Sequence, residues 1–319
     1  MAQAQPHAAP SALSPAPSAS PATPPPAGGS PTWEPVDQAY RALLARHDGE
    51  DRWLLLQTLL TGPPRRALYG MIGMPPGGRL LDVGTGFGPL AVELAGATGG
   101  TAVGVDVDVD RLRQAVALRD LVRASGWGPA GARAGAGGTS FAAGDATALP
   151  FPDGTFDAAT IRFVLQYFPE PGATLAEMAR VLRPGGAICV IDVEDGMSIV
   201  HPEPPAPLAR LRAAFAELQR ARGGDRNVGR KVPGLLDQAG FTVTAVLVMP
   251  QAAYGPSSPS DVDRTFLFDR FSLAADEMVA RGLLTEADVR AGLRVLSDDE
   301  LPPRTTIEGH VAVIGRRRP

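Results

Sequence analysis

The sequence predicts an α/β fold, a mostly parallel sheet covered by helices on both faces, and three observations carry that prediction. Short runs rich in Val, Ile, Leu and Ala recur between stretches of helical periodicity, the pattern of a parallel sheet buried on both sides. The first such run passes through a glycine-rich turn straight into a helix. Later strand-like runs end on an acidic residue, the place where ligands collect in sheets of this kind.

The chain has 319 residues, net charge −4 and a single cysteine, Cys189. One cysteine excludes an internal disulfide, and four scattered histidines beside it cannot build a closed zinc site, so no metal is expected. The acidic balance gives no footprint for nucleic acid, and no apolar run reaches the ~18–20 residues of a membrane span. Residues 1–35 hold ten of the 32 prolines and no Lys or Arg. That segment reads as a disordered tail with neither a signal nor a transit pattern, which makes a cytoplasmic protein the expectation.

Folded sequence is expected from residue 36. Residues 36–73 read as N-terminal helices. Residues 78–84 are strand one, and 89–97 a helix opened by Pro89. Residues 101–106 are strand two, followed by a helix over 109–123 with Leu112, Ala115, Val116 and Val122 on one face. Six glycines in 125–138 mark a loop. Strands three and four are 139–145 and 156–162. Thr174 with Glu177 suggests a capping box for a helix ended by Arg183-Pro184-Gly185-Gly186. Residues 187–193 are strand five, and 196–300 supply helices and a sixth strand at 241–248. A second capping box, Thr285 with Asp288, falls in this region, and 307–315 is the last strand.

The chemistry concentrates at Asp82-Val83-Gly84-Thr85-Gly86-Phe87-Gly88. Glycines there let the backbone turn and approach a ligand, and a helix N-terminus follows. The G-x-G-x-G spacing departs from the dinucleotide fingerprint G-x-G-x-x-G. Asp82 would repel a pyrophosphate, yet suits a ligand bearing an ammonium. A nicotinamide-dependent oxidoreductase is disfavoured on both grounds. Asp106 ends strand two, where a carboxylate can accept from two ribose hydroxyls, and Asp108 reads as a helix-entry residue. Gly144-Asp145-Ala146 ends strand three.

This constellation resembles the class I S-adenosylmethionine-dependent methyltransferases. Asp-x-Gly-x-Gly-x-Gly looks like their first motif. The continuation LPF (149–151), Phe156-Asp157 and Leu182-Arg183-Pro184-Gly185-Gly186 is similar to the ubiquinone- and menaquinone-biosynthesis branch and to bacterial small-molecule methyltransferases. The resemblance covers about residues 78–193. It implies a Rossmann-like seven-stranded sheet of order 3-2-1-4-5-7-6, the last strand antiparallel, in a single domain over 36–319. Residues 74–195 would hold the cofactor, 196–300 would form a substrate lid, and 305–316 would close the sheet.

The same resemblance implies S-adenosylmethionine as cofactor. Asp82, Gly84, Thr85, Gly86 and Gly88 would frame its methionine part, with Arg162 nearby. Asp106 and Val107 would meet the ribose, and Gly144, Asp145 and Ala146 the adenine.

Beyond strand four, Arg162, Gln166 and Tyr167 are candidates for the reaction pocket, and His201, in the loop after strand five, is the candidate base among the histidines. Each has a plainer reading: Arg162 in a surface ion pair, His201 as a solvated loop residue. Arg226 and Arg230 could hold a substrate carboxylate, or cap their helices, and Tyr254 could enter from the loop after strand six. The expected partner is a small-molecule acceptor, with neither nucleic acid nor membrane, and a homodimer stays open. A scaffold that binds the cofactor without catalysis is the competing reading.

Overall fold

The computed structural model describes residues 33–47, 49, 51–127, 138–255, 262–298 and 302–319. The expected tail therefore lies outside the described residues as far as residue 32, as does most of the glycine-rich 125–138 segment. Helix α1 (Glu34–Leu44) begins two residues earlier than the sequence suggested, with Pro35 in its first turn. It buries Val36, Ala39, Tyr40 and Leu43, spaced three and four apart, against the sheet-covering helices. Three helices follow: α2 (Arg52–Leu60), α3 (Gly62–Ala67) and α4 (Tyr69–Ile72).

The core then alternates as expected: β1 (Arg79–Val83), α5 (Pro89–Thr98), β2 (Thr101–Asp106), α6 (Val109–Ala124), β3 (Thr139–Ala143), β4 (Phe156–Arg162), α7 (Pro171–Val181) and β5 (Leu182–Val193). Strands β1 to β5 pair in parallel in the order 3-2-1-4-5. The chain continues through β6 (Ile199–His201), α8 (Ala206–Ala221), α9 (Val232–Gln238), β7 (Phe241–Gly255), α10 (Val262–Ala280), α11 (Glu286–Ser297) and β8 (Arg304–Arg317).

Strand β8 lies antiparallel between β5 and β7, so the expected order holds, with β8 as the seventh strand and β7 as the sixth. The count differs. Ile199–His201 pairs with Thr305–Ile307 and makes an eighth, three-residue strand where a loop was expected.

Local details show which signals worked. Asp108 caps α6, its Oδ1 accepting from the N–H groups of Asp110 at 3.0 Å and Arg111 at 3.1 Å. On that helix the buried face takes Leu118, while Val116 is exposed. The Thr285–Asp288 capping box is present. The Thr174–Glu177 box is not. Helix α7 starts at Pro171, so Thr174 sits inside it, buried, and its hydroxyl has no partner among the described residues. Glu177 instead accepts from the Leu149 N–H and pairs with Arg180.

Candidate functional site

The turn between β1 and α5 is held in place before any ligand is considered. Gly84, Gly86 and Gly88 all have positive φ, at 65°, 54° and 79°, a region costly for residues with a Cβ. The Thr85 N–H donates to the Val105 carbonyl at 2.9 Å, tying the turn to β2. A Cβ added at Gly88 would lie 2.7 Å from the Phe141 ring, so packing as well as φ demands glycine there. At Gly86 an added Cβ meets nothing within 4 Å: that backbone faces open space.

That space is a cavity of about 560 Å³, within the range of small-molecule sites. One half is formed by strand ends: Gly84–Phe87, Val105–Val107, Gly144–Ala146 and Arg162–Val164. The other half is formed by helices: Trp53, Leu54 and Gln57 on α2, Phe215 and Gln219 on α8, and Arg270, Leu273 and Ala274 on α10. Tyr167 and Phe168, in the turn after β4, also line it.

Asp106 lines the cavity, its Oδ2 accepting from Gly86 N–H at 2.8 Å and its Oδ1 from Asp108 N–H at 3.0 Å. Asp145 is exposed, and the N–H and hydroxyl of Thr147 hold its carboxyl below the usual carboxylate range. Asp82 lies beneath the turn, 3% exposed and away from the cavity lining. The hydroxyls of Thr85 (2.6 Å) and Thr160 (2.7 Å) donate to its two oxygens. Burial raises the Asp82 pKa, and the two hydroxyls pull against that rise. Its position is that of a brace for Thr85.

Arg162 is partly buried in the cavity wall, and desolvation together with repulsion from Arg65 brings its pKa down to about 10. Its Nη1 donates to the Thr61 hydroxyl at 3.0 Å, its guanidinium lies 4.8 Å from the Phe163 ring centre, and its Nε has no partner among the described residues. The plainer reading of Arg162 in a surface ion pair does not hold among the described residues, and Asp157, the acid that opens β4, pairs with Arg183 instead. Phe163 itself has φ of 57°, a left-handed backbone in a bulky residue at the cavity wall. Strain of this kind is held only where surrounding packing imposes it.

Several sequence candidates are not brought to this cavity. His201 is exposed on β6 and does not line it. Tyr254 is 79% exposed and lines a separate cavity of about 210 Å³. Gln166 is 2% exposed and donates to the Phe163 carbonyl. Arg226 is already engaged: Nε and Nη2 donate to Asp195 at 2.5 and 2.7 Å, and Nη1 to Gln166 at 3.0 Å. Arg230 is bound to Glu194 through both side chain and backbone. Conversely, Trp53, Phe163, Phe215 and Arg270 went unnoticed in the sequence. Their only sequence signal is membership of helical or strand-end segments that the fold folds over the turn.

Residues 81–190 match the family described as a methyltransferase domain. The chain is 38% identical over 128 residues to the demethylmenaquinone methyltransferase of Renibacterium salmoninarum, covering 40% of this chain and 46% of that protein. It is 31% identical over 170 residues to the ubiquinone/menaquinone biosynthesis C-methyltransferase of Teredinibacter turnerae, covering 51% and 64%. The chain thus spans about half the length of the curated relatives it matches. In fold it is similar to a Bacillus halodurans C-125 protein described as a methyltransferase, with TM-score 0.52 at 19% identity, covering 81% of this chain and all of that one. No described helix is long and apolar enough to cross a membrane.

Proposed function

We propose that the protein transfers a methyl group from S-adenosylmethionine to a small organic acceptor. The observation that carries this reading is the cavity in which the Gly84–Phe87 turn faces a wall of helices. The residues present fit the cofactor. Gly86 leaves open space where a side chain would intrude, the Asp106 carboxylate lines the cavity with acceptor capacity beyond its two backbone donors, and a buried Arg162 Nε lacks a partner among the described residues.

In this reading Asp106 accepts from the ribose hydroxyls, Asp145 and the Ala146 N–H take the adenine edge, and Arg162 holds the methionine carboxylate. Bound there, the cofactor supplies a methyl group on a sulfonium, already a good leaving group. The chain's task is then alignment and exclusion of water. Trp53, Phe215, Leu273 and Ala274 provide an apolar roof for that purpose. Tyr167 is the phenol on the wall and is placed to orient an acceptor oxygen. A base must reach the proton it takes, and no described histidine lines the cavity.

The roof residues lie outside 81–190, so likeness to quinone-methylating relatives does not carry their acceptor across. Incubation with S-adenosylmethionine and a panel of small phenols, enols and acids, following S-adenosylhomocysteine release, tests the proposal. Acceptor-dependent release supports it. Cofactor binding without release from any acceptor would favour a scaffold instead.

A further inference from the structure

Arg270 is the anomaly of the cavity. It is 9% exposed and lines both the main cavity and a neighbouring one of about 300 Å³. Two other arginines of low exposure do hold carboxylates: Arg65 pairs with Glu93 at 2.8 Å, and the partly buried Arg226 with Asp195. Arg270 forms no hydrogen bond or ion pair with any described residue. Its guanidinium instead lies among three rings, 4.6 Å from Phe215, 5.3 Å from Trp53 and 5.7 Å from Phe266.

Ring faces attract a cation, but they do not replace an anion. Arginine does not shed its proton in response, so a desolvated charge remains, and burial weakens its hold on that proton. Nearby acids are taken. Asp195 is held by Arg226, and Glu308 faces Arg212 at 3.7 Å. On the same wall, the Trp53 indole N–H has no hydrogen-bond partner among the described residues. The Arg270 guanidinium and the Trp53 indole N–H are thus two donors on this side without a partner among the described residues. The cofactor brings one carboxylate, for which Arg162 is placed on the sheet side, so a second anion is needed at the helical side.

We infer that the acceptor is an apolar small molecule bearing an oxyanion, a carboxylate or phosphate ester, and that Arg270, framed by Trp53, Phe215 and Phe266, selects it. This rests on reading the cavity as a methyl-transfer site. It also relocates the carboxylate recognition that the sequence suggested for Arg226 and Arg230. The cage orients the fork of the guanidinium, and a bidentate oxyanion satisfies it.

Calorimetric titration of three probes, hydrocinnamate, phenethyl phosphate and hydrocinnamamide, into protein saturated with S-adenosylhomocysteine tests the inference. At least one anion is expected to bind about ten-fold tighter than the amide. The preference should vanish in Arg270→Gln and persist in part in Arg270→Lys, with S-adenosylhomocysteine affinity unchanged in both. A stronger carboxylate or a stronger phosphate ester identifies the source of the oxyanion.

Equal binding of all three, no binding of any, or a preference surviving in Arg270→Gln overturns the inference. So does loss of S-adenosylhomocysteine binding in a folded Arg270→Gln protein, since Arg270 would then serve the cofactor. If S-adenosylhomocysteine does not bind the unsubstituted protein, the methyl-transfer reading fails. The three probes, run on the free protein, still read the charge preference at Arg270.

Discussion

The backbone N–H of Gly86 donates to Oδ2 of Asp106 at 2.8 Å, joining the tip of the β1–α5 turn to the end of β2. One carboxylate thereby sets the turn and lines the cavity. Asp106→Ala is expected to weaken S-adenosylhomocysteine binding by about 1.5–3 kcal/mol, the range for hydrogen bonds to a charged group. Calorimetry checks this, and unchanged affinity would remove the ribose from Asp106.

Asp82 acts one layer further down. Asp82→Ala removes both acceptors, so the buried Thr85 and Thr160 hydroxyls lose their partner. A loss of about 1–3 kcal/mol in urea unfolding is expected, as for a buried polar group left unsatisfied. Weaker cofactor binding should accompany it through the displaced turn. Weaker binding without any loss of stability would instead place Asp82 against the ligand.

The N-terminal helices are fastened to α5 through Glu93, fully buried among Arg65, Arg66, Tyr40 and Tyr69. Removing the carboxylate strands the buried Arg65 charge, so Glu93→Gln should destabilise by about 3–5 kcal/mol. Burial alone would raise the Glu93 pKa, but Arg65 and Arg66 hold it down to about 2. A depressed acid stabilises fully above its unfolded value of ~4.3 and loses that contribution as pH falls toward the folded value. Unfolding free energy of the unsubstituted protein should therefore fall more steeply between about pH 4.5 and 2 than that of Glu93→Gln. Parallel curves would show that Glu93 is not ionised in the fold.

His201 should be dispensable for the chemistry. It is exposed on β6 and lines none of the three cavities, although the sequence made it the candidate base. His201→Ala is expected to keep the rate of S-adenosylhomocysteine release within about two-fold, since a general base must lie within hydrogen-bond reach. A loss of ~100-fold or more, the scale of general-base catalysis, would bring it back.

The first three strands were legible because each is a short apolar run that closes on or beside Gly or Asp. The Asp108 cap was legible for the same local reason. What escaped was non-local. Ile199–His201 becomes a strand only because Thr305–Ile307 runs alongside it. Thr174 reads as a cap until Pro171 starts the helix three residues earlier. Arg226 and Arg230 read as anion holders because nothing in their neighbourhood reveals Asp195 and Glu194 as partners. Arg270 resembles any arginine on a helix until α2 and α8 bring Trp53 and Phe215 to it.

Calorimetry with S-adenosylhomocysteine and with NAD on the unsubstituted protein tests the central claim most directly. One equivalent of S-adenosylhomocysteine bound per chain, with no heat from NAD, is the predicted result. Tight NAD binding with no response to S-adenosylhomocysteine would contradict it.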